Sequence, residues 1–160
     1  MVTNPYVSRR CQEIEELLAF AKSWSDKDVK LGAHLAAYIC VLFLGVLEDC
    51  VENLIEERAK RAGDTEVGNY VVKMIGDHFR NPDFGAICGL LGEFSRDYKD
   101  EFSAKIKPNG TEAEALQALV DNKNSLAHEG VCKLTLSVKD MDDYYRRVIP
   151  MLQVLEQILA

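Results

Sequence analysis

An all-α bundle, with one long central helix and short connecting helices, is the fold this sequence predicts. Three observations carry that reading. Hydrophobic residues make up 48% of the chain and charged residues 28%, the balance of a globular protein rather than a disordered one. There are four prolines and ten glycines, while Leu, Ala, Glu and Lys abound, which favours helix. Apolar residues also recur at intervals of three and four in segment after segment, the period of a helix packed on one face. The length of 160 residues predicts a single helical domain over 1–160, large enough for a real core.

The first helix starts near Pro5, with Asn4 as N-cap and proline in the tolerated first turn. Val7, Cys11, Ile14, Leu18 and Ala21 form its stripe, and Ser25-Asp26 ends it. The second is predicted over about 28–62 and stops at Gly63. Leu35, Ile39, Leu42, Val46, Cys50 and Leu54 share one face, and the middle is apolar nearly all round, which makes it the central helix. Its tail, Glu56-Glu57-Arg58-Ala59-Lys60-Arg61, runs from acid to base as the helix dipole prefers. A third helix follows over about 65–79, capped by Asp64 or Thr65. Asn81-Pro82-Asp83 signals a turn and restart. Short helices then span about 83–94, carrying Phe84, Ile87, Leu90 and Leu91, and about 97–106. Lys107-Pro108-Asn109-Gly110 is a loop.

Thr111 is the predicted cap of the next helix, with Glu114 completing a capping box. Its stripe is Ala115, Leu116, Leu119, Val120, Lys123 and Ala127, and Gly130 ends it. An extended piece over 131–136 leads to Ser137, which with Asp140 resembles a second cap. Val138, Met141, Tyr145, Val148, Leu152, Leu155 and Leu159 then alternate by three and four, the spacing of a bundle helix. Pro150 lies off that stripe and bends the helix.

The totals exclude several functions. A net charge of −7 is wrong for a non-specific nucleic-acid binder, so any role on RNA has to rest on a local basic site. Five scattered cysteines without a CxxC pair predict neither a disulfide framework nor a zinc site, and place the chain in the cytoplasm. His128 and Cys132 are four apart but have no further ligands near them in sequence. The longest apolar run, residues 35–47, is too short to cross a bilayer, and the first residues lack a signal-peptide layout. No cofactor, metal ion or membrane partner is called for. His34 and His78 read as surface residues, and Tyr144 and Tyr145 as packing residues. The small basic clusters Arg9-Arg10 and Arg58, Lys60, Arg61 read as solvated helix surface.

The one compact set of reactive groups is Lys123-Asn124-Ser125-Leu126-Ala127-His128-Glu129-Gly130. A cation can hold a phosphate, and an imidazole can take up and return a proton. Asn124 and His128 are four apart and share a helix face. Lys123 and His128 are five apart and diverge by roughly 140° at 3.6 residues per turn. Two arrangements bring them together: the helix unwinds at His128, or two copies face each other across a two-fold axis. The plain alternative is a solvated Lys123 and a His128 that caps free carbonyls. Glu48, with Asp49 beside it, is the other candidate. A carboxylate in so apolar a helix is expensive unless paired, so it either orients Lys123 or His128 or forms a structural ion pair.

The segment 123–130 resembles the Arg-Asn-x-x-Ala-His-Gly signature of HEPN domains (higher-eukaryote and prokaryote nucleotide-binding). The wider layout is similar to the prokaryotic branch named after fused RNA-ligase and phosphoesterase modules, RiboL-PSP-HEPN. Tyr38-Ile39-Cys40-Val41-Leu42-Phe43-Leu44-Gly45-Val46-Leu47-Glu48 looks like its long helix. Asn81-Pro82, Gly92-Glu93-Phe94, and Lys133-Leu134-Thr135-Leu136 before a tyrosine-bearing helix also agree, so the likeness runs from about Cys11 to Leu155. The resemblance implies a metal-independent endoribonuclease that works as a homodimer in stress, defence or RNA processing. On that reading His128 handles protons, Lys123 stands for the family arginine at the phosphate, and Asn124 positions the site. Glu48 is grouped with them as the residue that would orient Lys123 or His128 from a neighbouring helix.

The chain departs from the pattern at three places. Lysine at 123 keeps the charge but loses the planar fork of arginine. Glu129 puts negative charge beside His128, which repels phosphate. Gly130 stands where toxins silenced by nucleotidylation carry a tyrosine, which argues against a nucleotidyltransferase antitoxin. A second reading is therefore a non-catalytic HEPN module that binds RNA or nucleotide, or dimerises with an operon-encoded partner. A third is a helical interaction domain whose motif is only a helix end.

Overall fold

In the computed structural model, which describes residues 2–130 and 136–160, seven helices form the bundle and no strand occurs among the described residues. They are α1 (Pro5–Ser25), α2 (Val29–Arg61), α3 (Thr65–His78), α4 (Phe84–Phe94), α5 (Arg96–Lys105), α6 (Thr111–Glu129) and α7 (Val138–Ile158). The fold is all-α with a long central helix, as the periodicity predicts. α2 packs against α1, α3, α6 and α7, while the short pair α4 and α5 closes against α6 and α7 respectively.

Local chemistry explains the boundaries. Asn4, Asp28, Asp64 and Asp83 cap α1 to α4, each side chain accepting from the backbone N–H three residues on. Ser137 and Asp140 form the reciprocal box at the start of α7. α6 ends at Gly130, whose φ of 73° lies in the left-handed region that glycine enters at little cost. The cap foreseen at Thr111 is not formed. The Lys107–Gly110 turn, closed by Gly110 N–H donating to the Lys107 carbonyl at 3.0 Å, delivers extended backbone at Gly110, so the helix begins at Thr111 itself and has no side-chain cap. Glu112 and Glu114 instead place carboxylates at its positive end. The extended piece expected over 131–136 lies, apart from Leu136, outside the described residues, and so does Cys132.

The stripe of α1 is buried as read: Val7, Cys11, Ile14, Leu18 and Ala21. On α2 the burial is wider than one face. Ala36, Cys40, Phe43, Leu44, Leu47, Val51 and Ile55 are buried beside Ile39, Val46, Cys50 and Leu54, whereas Leu35 and Leu42 are only half-buried. Neighbours on several sides produce this pattern. On α6 the buried set includes Asn122 and Ser125 but not Ala127, because the last turn emerges from the bundle. Tyr145 packs its ring 5.4 Å from Phe43 and donates its hydroxyl to Glu15 at 2.8 Å. α2 is the one helix among the described residues long and apolar enough to cross a membrane by length and composition. The apolar run noted in the sequence is shorter than the helix that contains it. Here that helix supplies much of the bundle core.

Cys11, Cys40, Cys50 and Cys88 are all buried. Burial pushes the Cys11 thiol up to about 11 and the Cys50 thiol up to about 12. A raised thiol pKa means little thiolate at pH 8, and the thiolate is the nucleophile. Iodoacetamide at pH 8 should therefore leave Cys11 and Cys50 unmodified in the native protein and alkylate both in denaturant, as read by peptide mass spectrometry. Fast native alkylation at either would show that the α1–α2 interface opens readily.

Candidate functional site

Lys123 and Glu48 meet. α2 carries Glu48 near its middle, and the buried residues Leu119, Val120 and Asn122 seat α6 in the bundle. A contact from the Cys40 thiol to the Leu119 carbonyl at 3.5 Å fixes their approach. The Lys123 ammonium then lies 3.3 Å from Glu48 Oε1, with side chains 26% and 17% exposed. The partner that an acidic residue in an apolar helix requires is thus the lysine of the motif.

A third group completes the cluster. Lys123 Nζ also donates to Asn81 Oδ1 at 2.9 Å, and the Asn81 backbone N–H donates to the same Glu48 Oε1 at 2.7 Å. Asn81 has a φ of 51°, the only positive value at a described residue other than glycine. Asparagine tolerates this conformation better than most side chains. The turn is anchored on both sides: Phe79 and Pro82 are buried, and Asp83 caps α4. Arg80, next to Asn81, lies 3.7 Å from Glu52, one turn beyond Glu48 on α2. Burial raises the Glu52 carboxyl above its ordinary range, with the charge of Arg80 opposing that rise.

The sequence places Asn81 in a turn but does not reveal its side-chain role or the position of Arg80. The signals for it in the sequence are the Asn-Pro-Asp turn, which suits an unusual φ, and a carboxylate in an apolar helix in need of donors. The other candidates are arranged differently. Asn124 is half-buried and His128 is exposed. α6 stays helical through Glu129, so unwinding at His128 does not occur and Lys123 and His128 point apart on one chain. Asp49 pairs instead with Arg10 at 2.8 Å. His34 and His78 are exposed. The basic clusters are engaged: Arg9 pairs with Glu13, Arg58 donates to the Tyr98 hydroxyl, and Lys60 pairs with Glu56. Among the described residues, no group of three His, Cys, Asp or Glu side chains gathers to hold a metal ion.

The cluster has a clear chemical capacity. An ammonium has three donor protons. Two are directed to Glu48 and Asn81, and the third is left over on a side chain that is partly exposed. Seven helices around one long central helix make an all-α HEPN-like bundle, and α6 carries His128 one turn beyond Lys123. The RiboL-PSP-HEPN family model matches residues 6–160, and the chain belongs to that family. Neither a curated protein nor a solved structure matches the chain.

Proposed function

We propose that this protein is a homodimeric HEPN-type endoribonuclease that cleaves RNA in the cytoplasm without a metal ion, in defence, stress or RNA processing. The observation that carries this is the Lys123 ammonium held by Glu48 and Asn81 with one donor left for a phosphate oxygen. In the reaction a ribose 2′-hydroxyl loses its proton to an imidazole and attacks the adjacent phosphorus. The bond to the 5′-oxygen breaks, and that oxygen takes a proton from an imidazolium. Lys123 stabilises the charge that gathers on the non-bridging oxygens. The products are a 2′,3′-cyclic phosphate and a 5′-hydroxyl, and both protons are accounted for. Glu48 is a positioning residue that acts through Lys123, and Asn124 shares the face of His128.

Two copies solve the divergence of Lys123 and His128, because one copy's imidazole can serve the other's lysine. α2 offers a surface for this. His34, Tyr38, Val41, Gly45 and Glu48 follow each other at spacings of four and three, so they lie on one face. Tyr38 is 58% and Val41 44% exposed, and a Cβ on Gly45 would meet nothing within 4 Å. An uncovered apolar stripe in line with the site suits a second copy. Val41→Glu should give a folded monomer in sedimentation and lose cleavage with the dimer. A Val41→Glu protein that stays dimeric would move the interface elsewhere.

The direct test is incubation of purified protein with mixed RNA in EDTA, with end-group analysis of the products. Cleavage leaving cyclic phosphate and 5′-hydroxyl ends, lost in Lys123→Ala, supports the reading. Cleavage that requires a divalent ion, or that survives Lys123→Ala, overturns it. The unbroken course of α6 favours a second reading, in which the domain binds RNA or nucleotide, or pairs with an operon-encoded partner, without catalysis.

A further inference from the structure

The Lys123 site has a neighbour. A groove of about 700 Å³ lies between α3 and α4, within the size range of small-ligand sites. Its α3 wall includes Tyr70, Met74 and Ile75, and its α4 wall includes Leu90 and Phe94, with the Glu93 carboxylate also at the lining. Arg80 also lines it. Five residues, 79–83, separate the two helices, so Arg80 stands at the connected end, and Tyr70 lies about 12 Å away measured along α3. Tyr70 is 65% exposed and presents an aromatic face.

The groove and the Lys123 site are joined through neighbouring residues of one turn. Arg80 lines the groove, and Asn81, the next residue, holds Lys123. Glu48 and Glu52, one turn apart on α2, face Lys123 and Arg80 in turn. Two cations are therefore carried side by side on one helix face, and an aromatic-lined trough leads away from the second. The pair stands out on a chain of net charge −7, and the chemistry that it and the trough match together is a phosphate joined to a flat, apolar-faced base.

We infer that the α3–α4 groove is a nucleotide subsite for single-stranded RNA, taking the base of a nucleotide next to the phosphate at Lys123 while Arg80 takes that nucleotide's own phosphate. This rests on the reading of Lys123 as a phosphate site. Stacking on aromatic and apolar side chains is largely indifferent to base identity, so the subsite gives affinity and register more than sequence choice. The Arg80 guanidinium now donates to the Gly76 and Phe79 carbonyls at the end of α3, both at 2.6 Å, and its side chain is 58% exposed. Its own charge is exposed, so turning toward a phosphate trades the 3.7 Å approach to Glu52 for a phosphate oxygen.

The test is binding, kept separate from cleavage. A hexanucleotide with 2′-O-methyl riboses cannot react, and 2-aminopurine at each position in turn reports stacking by quenching. Gly89 lines the groove, and a Cβ placed there meets nothing within 4 Å. Gly89→Phe adds bulk at the groove wall without deleting a side-chain contact, and circular dichroism checks that it folds. Expected results are quenching at one position in wild type, about tenfold weaker binding and no quenching in Gly89→Phe, and a salt slope reduced by about 0.7 in Arg80→Gln. Folded Gly89→Phe that binds and quenches like wild type overturns the subsite. If binding still falls in Lys123→Ala, the phosphate site survives that failure. No binding by wild type also overturns the subsite, and RNA cleavage by the same preparation would then leave the nuclease reading standing alone. Unchanged binding together with Gly89→Phe-sensitive capture of an apolar helical peptide would reassign the groove to a protein partner.

Discussion

Replacing His128 with alanine is expected to lower RNA cleavage by about 10²–10⁴-fold, the range for loss of a general acid–base group, while leaving the thermal midpoint unchanged. The two halves of this prediction come from separate observations. His128 lies five residues beyond Lys123 on α6, and the proposed reaction assigns proton transfer to it. It is also exposed on the last turn of α6, where its removal opens no cavity, and surface substitutions of that kind stay near neutral in stability. A mixed dimer gives a sharper check. One subunit with Lys123→Ala and the other with His128→Ala leaves a single complete pair if the groups act across the axis. Such a heterodimer should recover up to about half of the wild-type rate, with the symmetry of the two sites setting that ceiling. Recovery confined to noise level would mean that both groups act from one chain. Full activity in His128→Ala would remove histidine from the chemistry altogether.

Glu48→Ala is expected to cost about 2 kcal/mol of stability, because it strands the Asn81 N–H and the Lys123 ammonium together. For a domain of this size that is a fall of roughly 4–8 °C in Tm. Glu48→Gln keeps an acceptor for Asn81 and removes the charge, so it should cost less stability yet still weaken cleavage by loosening Lys123. The pair Glu48→Ala and Lys123→Ala should be clearly less than additive, since each removes the same contact. Additive losses would show that the 3.3 Å pairing contributes nothing in solution, and Lys123 would then have to be positioned by Asn81 alone.

The helices were legible because each has its own local evidence: side-chain caps at Asn4, Asp64 and Ser137, a left-handed stop at Gly130, and stripes at a period near 3.6. Glu48 and Lys123 could be singled out because one sits where a carboxylate needs a partner and the other lies in a recognisable motif. Their contact could not be derived, because it spans 75 residues and depends on how α6 is rotated against α2. The same rotation buries Asn122 and exposes Ala127, a shift of the stripe that periodicity alone does not resolve. Asn81 was read as a turn residue, and its side-chain role follows from where that turn lands. The misplaced Thr111 cap arose from a motif that fits two starts one residue apart, a choice settled by the preceding Lys107–Gly110 turn.

One oxygen atom, Glu48 Oε1, accepts from Asn81 33 residues away and from Lys123 75 residues away. No local stretch of chain contains this site. It comes into being only when the middle of α2, the turn after α3 and the end of α6 have all docked, and closing such wide loops belongs to the slow, late part of folding. A partly folded chain with α1 and α2 paired would hold helix and hydrophobic core but no oriented lysine. Phosphate affinity should therefore lag behind helical signal during refolding, and the site itself acts as a gauge of whether the whole chain has arrived.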